Sequence, residues 1–248
     1  MRPVLIVKTG TTVRSAKRRG DFEQWIGAGL GLAPEALEVR RVDRDAPLPS
    51  PDEVAGIVVT GSSAMVTDAR PWSERAAAWL RDAVAAQTPV LGICYGHQLL
   101  AHALGGEVAY NALGRRLGTI DVHLTGAARG DPLFGGLPDV LHVAVSHRQV
   151  VVRPPTGATL LATTTHDPHH AYRAADHAWG VQFHPEYDAD IVRAYLHDRR
   201  ADLLEEGLDP DALARDARDT GHGTLLLRRF AEIVRQVAST PRHGQTSG

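Results

Sequence analysis

Lysine and cysteine are both scarce in this chain of 248 residues. Lys8 and Lys17 are the only lysines among its 27 basic residues, which argues against Schiff-base chemistry and lysine-dependent phosphate binding. Cys94 is the only cysteine, so an intramolecular disulfide is excluded. A chain without disulfides is typical of a reducing compartment, and we therefore expect a cytoplasmic protein.

Long apolar runs and a strong charge bias are missing as well. No segment approaches the ~20 apolar residues of a membrane-spanning helix. The N-terminus begins with a short strand-like run and lacks the longer apolar segment of a signal peptide. The net charge of −2 favours neither nucleic acid nor an anionic membrane. We expect no partner of either kind.

Strand-like apolar runs alternate with helical segments in the first hundred residues. Helices are predicted to begin at Asp21, which caps the first, and at Pro71. The strand-like runs are 4–7, 37–42, 55–60 and 90–93. This alternation predicts an α/β fold with a flavodoxin-like, doubly wound, mostly parallel sheet. Short strand-like segments between 118 and 183 predict an antiparallel extension of that sheet.

The chain after residue 188 is predicted to be a helical appendage. Apolar residues recur there at helical spacing, and the segment ends in a polar stretch that contains Pro241 and Gly244. We predict an α/β domain over 1–190, a helical extension packed on it over 191–238, and a disordered tail over 239–248. The simplest interpretation of the charged helices is that they form a solvent-exposed surface. The alternative is that they bind an acceptor or a partner.

Cys94 lies between an apolar strand and a helix-like segment. Gly92 and Gly96 stand two residues before and after it, the pattern of a nucleophile elbow, in which a strained turn exposes the nucleophile. The turn places Cys94 at a helix N-terminus, where free N–H groups and the helix dipole favour a thiolate. A buried cysteine with a packing role only is the alternative.

His184-Pro185-Glu186 ends a second strand-like run far from the elbow. Thiol catalysis needs a base and a third group that orients the base. Pro185 biases His184 towards an extended conformation. Residues i and i+2 of a strand point to the same side, so we expect the Glu186 carboxylate to reach the His184 ring.

The two motifs together resemble the class I (triad-type) glutamine amidotransferases, in particular the glutaminase domain of GMP synthase and its stand-alone relatives. The resemblance covers roughly residues 1–190 and rests on Gly92-Ile93-Cys94-Tyr95-Gly96-His97-Gln98 and His184-Pro185-Glu186. It implies that Cys94 is the nucleophile, that His184 transfers the proton and that Glu186 orients His184. It also implies that no cofactor is needed.

The resemblance assigns further residues to the site. The backbone N–H groups of Ser62 and Tyr95 would hold the oxyanion, although the family usually has a second glycine where this chain has Ser62. Gly61 belongs to the same turn, at the substrate. Gln98, four residues after Cys94, matches a glutamine that helps to hold the substrate, whereas His97 is expected to be structural.

Ser146-His147-Arg148-Gln149 resembles the Ser-His-Gly-Asp loop that binds the amino-acid end of glutamine. Ser146 and His147 match, but Arg148 and Gln149 replace the glycine and the acidic residue. An acidic residue would complement the substrate's α-ammonium group, so its loss weakens the case for plain glutamine. We hypothesise that Arg148 attracts a carboxylate, for example that of a γ-glutamyl peptide. A surface loop with a solvated arginine is the alternative.

A histidine-rich patch is the remaining candidate for a metal site. Its members are His166, His169, His170 and His177, and their spacing follows no closed zinc-site pattern. We therefore expect no metal.

The sequence favours hydrolysis of the γ-amide of glutamine, or of a γ-glutamyl compound, through a cysteine thioester. No phosphate-gripping loop with a lysine is present, so ammonia would pass to a separate ATP-dependent synthetase subunit. A stand-alone γ-glutamyl peptide hydrolase is the first alternative. A catalytically silent regulatory or binding module is another, and a redox-sensing Cys94 without a resolving cysteine is a third.

Overall fold

The computed structural model describes residues 2–219 and 221–239. In chain order its helices and strands are β1 (Val4–Lys8), α1 (Phe22–Leu30), β2 (Leu37–Arg41), β3 (Gly56–Val59), α2 (Pro71–Ala85), β4 (Val90–Ile93), α3 (Tyr95–Ala103), β5 (Glu107–Tyr110), β6 (Arg116–Leu124), β7 (Val140–His147), β8 (Gln149–Arg153), β9 (Thr159–Thr163), β10 (Ala171–Ala175), β11 (Ala178–Val181), α4 (Ala189–Asp198), α5 (Arg200–Glu205), α6 (Pro210–Asp216) and α7 (His222–Ser239).

Nine of the strands in the described ranges form one sheet with the order β2-β1-β3-β4-β11-β10-β9-β6-β7. The strands from β2 to β11 in this order are parallel, and β10, β9, β6 and β7 continue the sheet in antiparallel pairs. The order β2-β1-β3-β4 is that of flavodoxin-like folds. The predicted fold class, with its antiparallel extension and helical appendage, is therefore confirmed.

Helices cover both faces of the parallel half because alternate residues of each strand point to opposite sides. Val4 and Ile6 of β1 belong to an apolar cluster that includes residues of α1 and α7. Leu5 and Val7 belong to a second cluster, which includes residues of α2 and α3. The sheet is thus buried on both faces, as its continuous apolar runs predict.

Two helix starts agree with the sequence. Asp21 caps α1 with its Oδ1 accepting from the Phe22 N–H at 2.8 Å, while the Asp21 N–H donates to Gln24 Oε1 at 2.7 Å. Pro71 is the first residue of α2, where its missing N–H costs nothing. These local signals position the two loops that reach the carboxyl edge of the sheet.

The C-terminal helices pack against the α/β layers. Helix α7 lies so close to α1 that a Cβ atom at Gly29 would be 2.3 Å from Cδ1 of Leu227. Helix α7 ends at Ser239, the first residue of the predicted tail, and 240–248 lie outside the described residues. The domain boundaries at 190 and 238 stay predictions. In the described ranges, no helix combines the length and the apolar character needed to cross a membrane.

The strands of the structure differ from those predicted in two places. Strand β11 ends at Val181, because residues 182 and 183 bend away and His184 makes only an isolated bridge to Ala144. Strand β5 carries no strong alternating pattern, and the sequence does not predict it. It pairs antiparallel with β8 in a separate two-stranded sheet beside the main one.

Candidate active site

Cys94 occupies a strained turn between β4 and α3. Its backbone φ and ψ are 51° and −98°, a conformation that non-glycine residues rarely adopt and that clusters at functional sites. A Cβ atom at Gly92 would lie 2.4 Å from the Gly96 carbonyl oxygen, and one at Gly96 would lie 2.4 Å from the Val59 carbonyl oxygen. Both glycines are therefore required by close backbone approach, and the geometry is that of a nucleophile elbow.

His184 and Glu186 are in direct contact. His184 Nδ1 lies 2.7 Å from Glu186 Oε1, and the pair is buried. The predicted contact is present, but its predicted cause is wrong, because Pro185 and Glu186 form a turn and not a strand. The His184 N–H donates to the Ala144 carbonyl at 2.8 Å, which fixes the backbone of the histidine on β7.

The surroundings of His184 favour its charged form. Burial by itself lowers the pKa of His184, but the charge of Glu186 and the charge and hydrogen bond of Cys94 outweigh it and raise the pKa to about 10. Two elements distant in sequence, the elbow and the 184–186 turn, are thus brought together. Cys94 Sγ also lies 3.6 Å from the Ser146 carbonyl oxygen. A thiol, an imidazole and a carboxylate in this order are the groups that nucleophilic catalysis by a cysteine requires.

Aromatic rings fix the plane of the His184 imidazole. Tyr187 stacks on it with ring centroids 4.0 Å apart and an angle of 14° between the planes. Phe22, the first residue of α1, is roughly parallel to the same imidazole at 6.2 Å. Neither ring is predictable from the sequence, because the pattern around 184–186 does not show which aromatic residues fold towards it.

The predicted oxyanion turn borders the cavity at Cys94. Ser62 lines this cavity, and Ser62 Oγ donates to the Thr9 carbonyl at 2.8 Å and accepts from the Ala64 N–H at 3.1 Å. Tyr95 is the first residue of α3, so its N–H has no acceptor within the helix. The assignment of the Ser62 and Tyr95 N–H groups to the oxyanion stays a prediction.

Gln98, Ser146 and His147 all line the cavity. Gln98 Nε2 donates to the Gln149 carbonyl at 2.8 Å and to Gln182 Oε1 at 3.0 Å, so its amide nitrogen is held at the start of β8. The loop expected at 146–149 is a tight connection, because β7 ends at His147 and β8 begins at Gln149. His147 Nδ1 lies 3.2 Å from the Gln149 carbonyl oxygen, and burial lowers the pKa of His147 to about 3. Burial therefore favours the neutral form of His147. His97 does not line this cavity and packs against Tyr172.

Arg148 already forms an ion pair with a carboxylate of the same chain. One guanidinium nitrogen, Nη2, donates to Glu206 Oε1 at 2.7 Å, and Glu206 also accepts from Arg115. The Glu206 carboxylate, which directly follows α5, therefore competes with any substrate carboxylate for Arg148. The sequence alone does not predict this pair.

The cavity beside Cys94 has a volume of about 330 Å³. The C-terminal extension forms part of its wall, together with the loop before β6. The lining residues that sequence reasoning missed include Thr12, Arg115, Tyr187, Tyr195, Arg199 and Asp202. The only available signal for the last three was the charged, amphipathic pattern after residue 188, which does not show which face meets the site.

A second polar cluster includes His147, the last residue of β7. Ligand atoms of His147, Asp167 and His170 lie within 4.8 Å of one another, and all three residues are buried. The Nε2 atoms of both histidines have no hydrogen-bond partner among the described residues. Imidazoles and a carboxylate are suitable metal ligands. The histidine patch contributes only His170 to this cluster, and the expectation that no metal binds stays a prediction.

The sequence profile described as glutamine amidotransferase class-I matches residues 21–198. The chain belongs to this family. The match covers most of the chain and confirms the resemblance seen in the two motifs. Membership of this family supports glutamine amide hydrolysis. The elbow at Cys94 and the His184–Glu186 pair are consistent with the family.

Curated relatives of this chain include two glutamine-hydrolysing GMP synthases. The enzyme of Syntrophomonas wolfei subsp. wolfei is 40% identical over 164 residues, covering 62% of this chain and 31% of the relative. The enzyme of Bacillus subtilis is 42% identical over 114 residues, covering 44% of this chain and 21% of the relative. The chain thus spans less than a third of the length of these relatives.

Solved structures match over nearly the whole length. A glutamine amido transferase from Methylobacillus flagellatus has a TM-score of 0.76 and 26% identity, covering 100% of this chain and 99% of its own. A glutamine amidotransferase from Thermotoga maritima has a TM-score of 0.74 and 21% identity, covering 96% of this chain and 100% of its own. The second likeness shows the fold alone.

Proposed function

We propose that this chain hydrolyses the γ-amide of glutamine through a γ-glutamyl thioester on Cys94. The observation that carries the proposal is the meeting of the strained Cys94 turn with the buried His184–Glu186 pair at one cavity. A packing role for Cys94 would not need the strain at its φ and ψ, nor a neighbouring histidine whose pKa is raised.

The proposed reaction has two halves. Cys94 attacks the amide carbon as the thiolate, and the oxyanion that forms is held by the N–H groups of Ser62 and Tyr95. His184 gives its proton to the departing nitrogen, so that ammonia leaves and the thioester remains. Water then attacks the thioester with neutral His184 as the base, which releases glutamate and restores the thiolate and the imidazolium.

In this role Glu186 keeps the His184 ring in place and stabilises its positive charge. Gln98, Ser146 and His147 shape the substrate side of the cavity, and Gly61 leaves room for the imidazole. No cofactor takes part in this chemistry. The ammonia is proposed to pass to a separate ATP-dependent synthetase, and the protein is proposed to act in the cytoplasm.

Hydrolysis of γ-glutamyl peptides is the second candidate. It is favoured by the cavity, which continues from Cys94 to the charged wall formed by Arg115 and Asp202. The neutralisation of Arg148 by Glu206 speaks against capture of a second carboxylate by Arg148 itself. Glutamine is therefore our first choice of substrate.

The test is release of ammonia and glutamate by the purified protein, with L-glutamine and several γ-glutamyl peptides in parallel. Cys94→Ala is the control for contaminating hydrolases. Turnover of glutamine that disappears in the variant supports the proposal. Preference for a peptide would support the second candidate. No turnover of any substrate, with the protein folded, would contradict both and favour a silent module.

A further inference from the structure

We infer that Asp202 of α5 binds the α-ammonium group of the substrate, so that the C-terminal extension completes the amino-acid end of the substrate site. The inference rests on the proposed function, because it presupposes that a γ-glutamyl amide occupies the cavity at Cys94. It names a residue outside the motifs that define the site.

The loop position expected to carry an acid cannot serve this purpose. Gln149 is uncharged, and its side chain is engaged at both ends: Oε1 accepts from the Val66 N–H at 3.0 Å and Nε2 donates to Thr67 Oγ1 at 2.5 Å. Its neighbour Arg148 has the wrong sign of charge. A bound ammonium group therefore needs a carboxylate from elsewhere.

Asp202 is the only carboxylate among the described residues that line the cavity. Its side chain is 45% exposed. One oxygen, Oδ2, accepts from Arg115 Nη2 at 3.2 Å, and the other accepts no hydrogen bond from the described part of the chain. A carboxylate with a free oxygen at the wall of a substrate cavity is suited to an alkylammonium group.

Glu206 keeps Asp202 available. Arg115 Nε donates to Glu206 Oε2 at 2.9 Å, and Arg115 Nη2 donates to Glu206 Oε1 at 3.0 Å. Arg148 Nη2 also donates to Glu206 Oε1, at 2.7 Å. The two guanidinium groups are thus held mainly by Glu206, and Asp202 receives a single, longer hydrogen bond. The Asp202 carboxylate therefore keeps one oxygen, Oδ1, for a further hydrogen bond.

Arg199 provides the matching positive charge. Arg199 lies three residues before Asp202 and lines the same cavity. Its side chain is 40% exposed, and its Nη1 is 3.9 Å from Asp202 Oδ2. An amino-acid end carries a carboxylate beside its ammonium group. A carboxylate and a guanidinium side by side therefore fit a zwitterion, and Arg199 is the group placed to meet the α-carboxylate.

The experiment compares L-glutamine with glutaramate, which has the same amide but no α-amino group. Wild-type protein and Asp202→Asn are assayed for ammonia release with both. We expect Asp202→Asn to raise the KM for glutamine about 10- to 100-fold with little change in kcat, and to leave glutaramate unaffected. The preference for glutamine over glutaramate should nearly disappear, and Asp202→Glu should restore part of it.

Asp211→Asn is the matched control. Asp211 lies on α6, pairs with Arg200 at 2.8 Å and does not line the cavity. This variant should keep the preference of the wild type. Active Asp202→Asn protein that still prefers glutamine as strongly as the wild type would overturn the inference while leaving the proposed function intact.

Calorimetric binding to the Cys94→Ala protein tests the inference without turnover. Glutamine should bind more tightly than glutaramate, and the difference should vanish in Cys94→Ala/Asp202→Asn. Equal affinity in Cys94→Ala would overturn the inference. Clear binding of glutamine without hydrolysis by the wild type would instead contradict the proposed function alone. Thermal unfolding of each variant shows that the comparison is between folded proteins.

Discussion

Gly61 lies against the imidazole of His184. A Cβ atom at position 61 would be only 2.7 Å from Cε1 of that ring, closer than side chains tolerate. We predict that Gly61→Ala displaces the imidazole and lowers kcat for glutamine hydrolysis about 100-fold, since misplacement of a catalytic group by about 1 Å can cost that much. Steady-state kinetics measure the effect.

Gly126→Ala is the control for this substitution. No heavy atom lies within 4 Å of a Cβ atom at position 126, so the same chemical change should leave both kcat and the melting temperature near those of the wild type. An unchanged kcat in Gly61→Ala would contradict the placement of His184 beside this turn.

Glu186 contributes to the raised pKa of His184. Burial lowers the pKa of His184, and Glu186 followed by Cys94 raises it to about 10. The imidazolium is therefore the populated form below that pH. Glu186→Gln removes the largest of the factors that raise the pKa, so the histidine should lose its proton at lower pH. We predict that the alkaline limb of kcat/KM moves down by about one to three pH units.

The profile of kcat/KM against pH measures this shift in the free enzyme. Glu74→Gln is a suitable control, because Glu74 pairs with His102 at 3.0 Å on the surface, away from the cavity. An alkaline limb that stays in place in Glu186→Gln would show that Glu186 does not set the protonation of His184.

Signals confined to short segments made much of the fold and part of the geometry of the candidate site predictable. Gly92 and Gly96 indicate the elbow because both permit close backbone approach within a few residues of Cys94. The uninterrupted apolar run of β1 indicates burial on both faces of the sheet. The His184–Glu186 contact was predicted for the wrong reason, since a turn and not a strand brings the two side chains together.

The charged wall of the cavity was not predictable from the sequence. Arg148 and Glu206 are 58 positions apart, and Arg115 and Glu206 are 91 positions apart. No periodicity within one segment shows that such residues meet, because the packing of α5 against the β5–β6 loop decides it. The same applies to Asp202, whose neighbours in sequence are those of an ordinary solvated helix.

Lys8 is a buried cation that holds two carboxylates at the end of β1. Its Nζ lies 2.8 Å from Asp21 Oδ2 and 2.5 Å from Glu23 Oε2. We predict that Lys8→Met lowers the free energy of unfolding at pH 7 by about 2–3 kcal/mol, because it leaves two acids without their partner. Denaturant unfolding measures the change. Lys17→Met, at an exposed site without an ion pair to the described residues, should have little effect.

The loss in Lys8→Met should depend on pH. Burial raises the pKa of Asp21, but hydrogen bonds from Lys8, Thr11 and two backbone N–H groups outweigh it, so the pKa lies below its usual 3.8. A lowered pKa gives stability that is present above the unfolded-state value and lost as the pH falls through the folded-state value. The difference between wild type and variant should therefore shrink below about pH 4. A constant difference down to pH 2 would contradict this account.

Tyr187 holds the imidazole of His184 in plane by stacking on it at 4.0 Å. Tyr187→Phe keeps the ring and should retain near wild-type kcat. Tyr187→Ala removes it and gives the imidazole room to rotate, and we predict a fall in kcat of about tenfold or more with a smaller change in KM. Kinetics and thermal unfolding of both variants separate loss of orientation from loss of stability. Equal kcat in the two folded variants would show that Glu186 and the backbone of β7 orient His184 without help from the stacked ring.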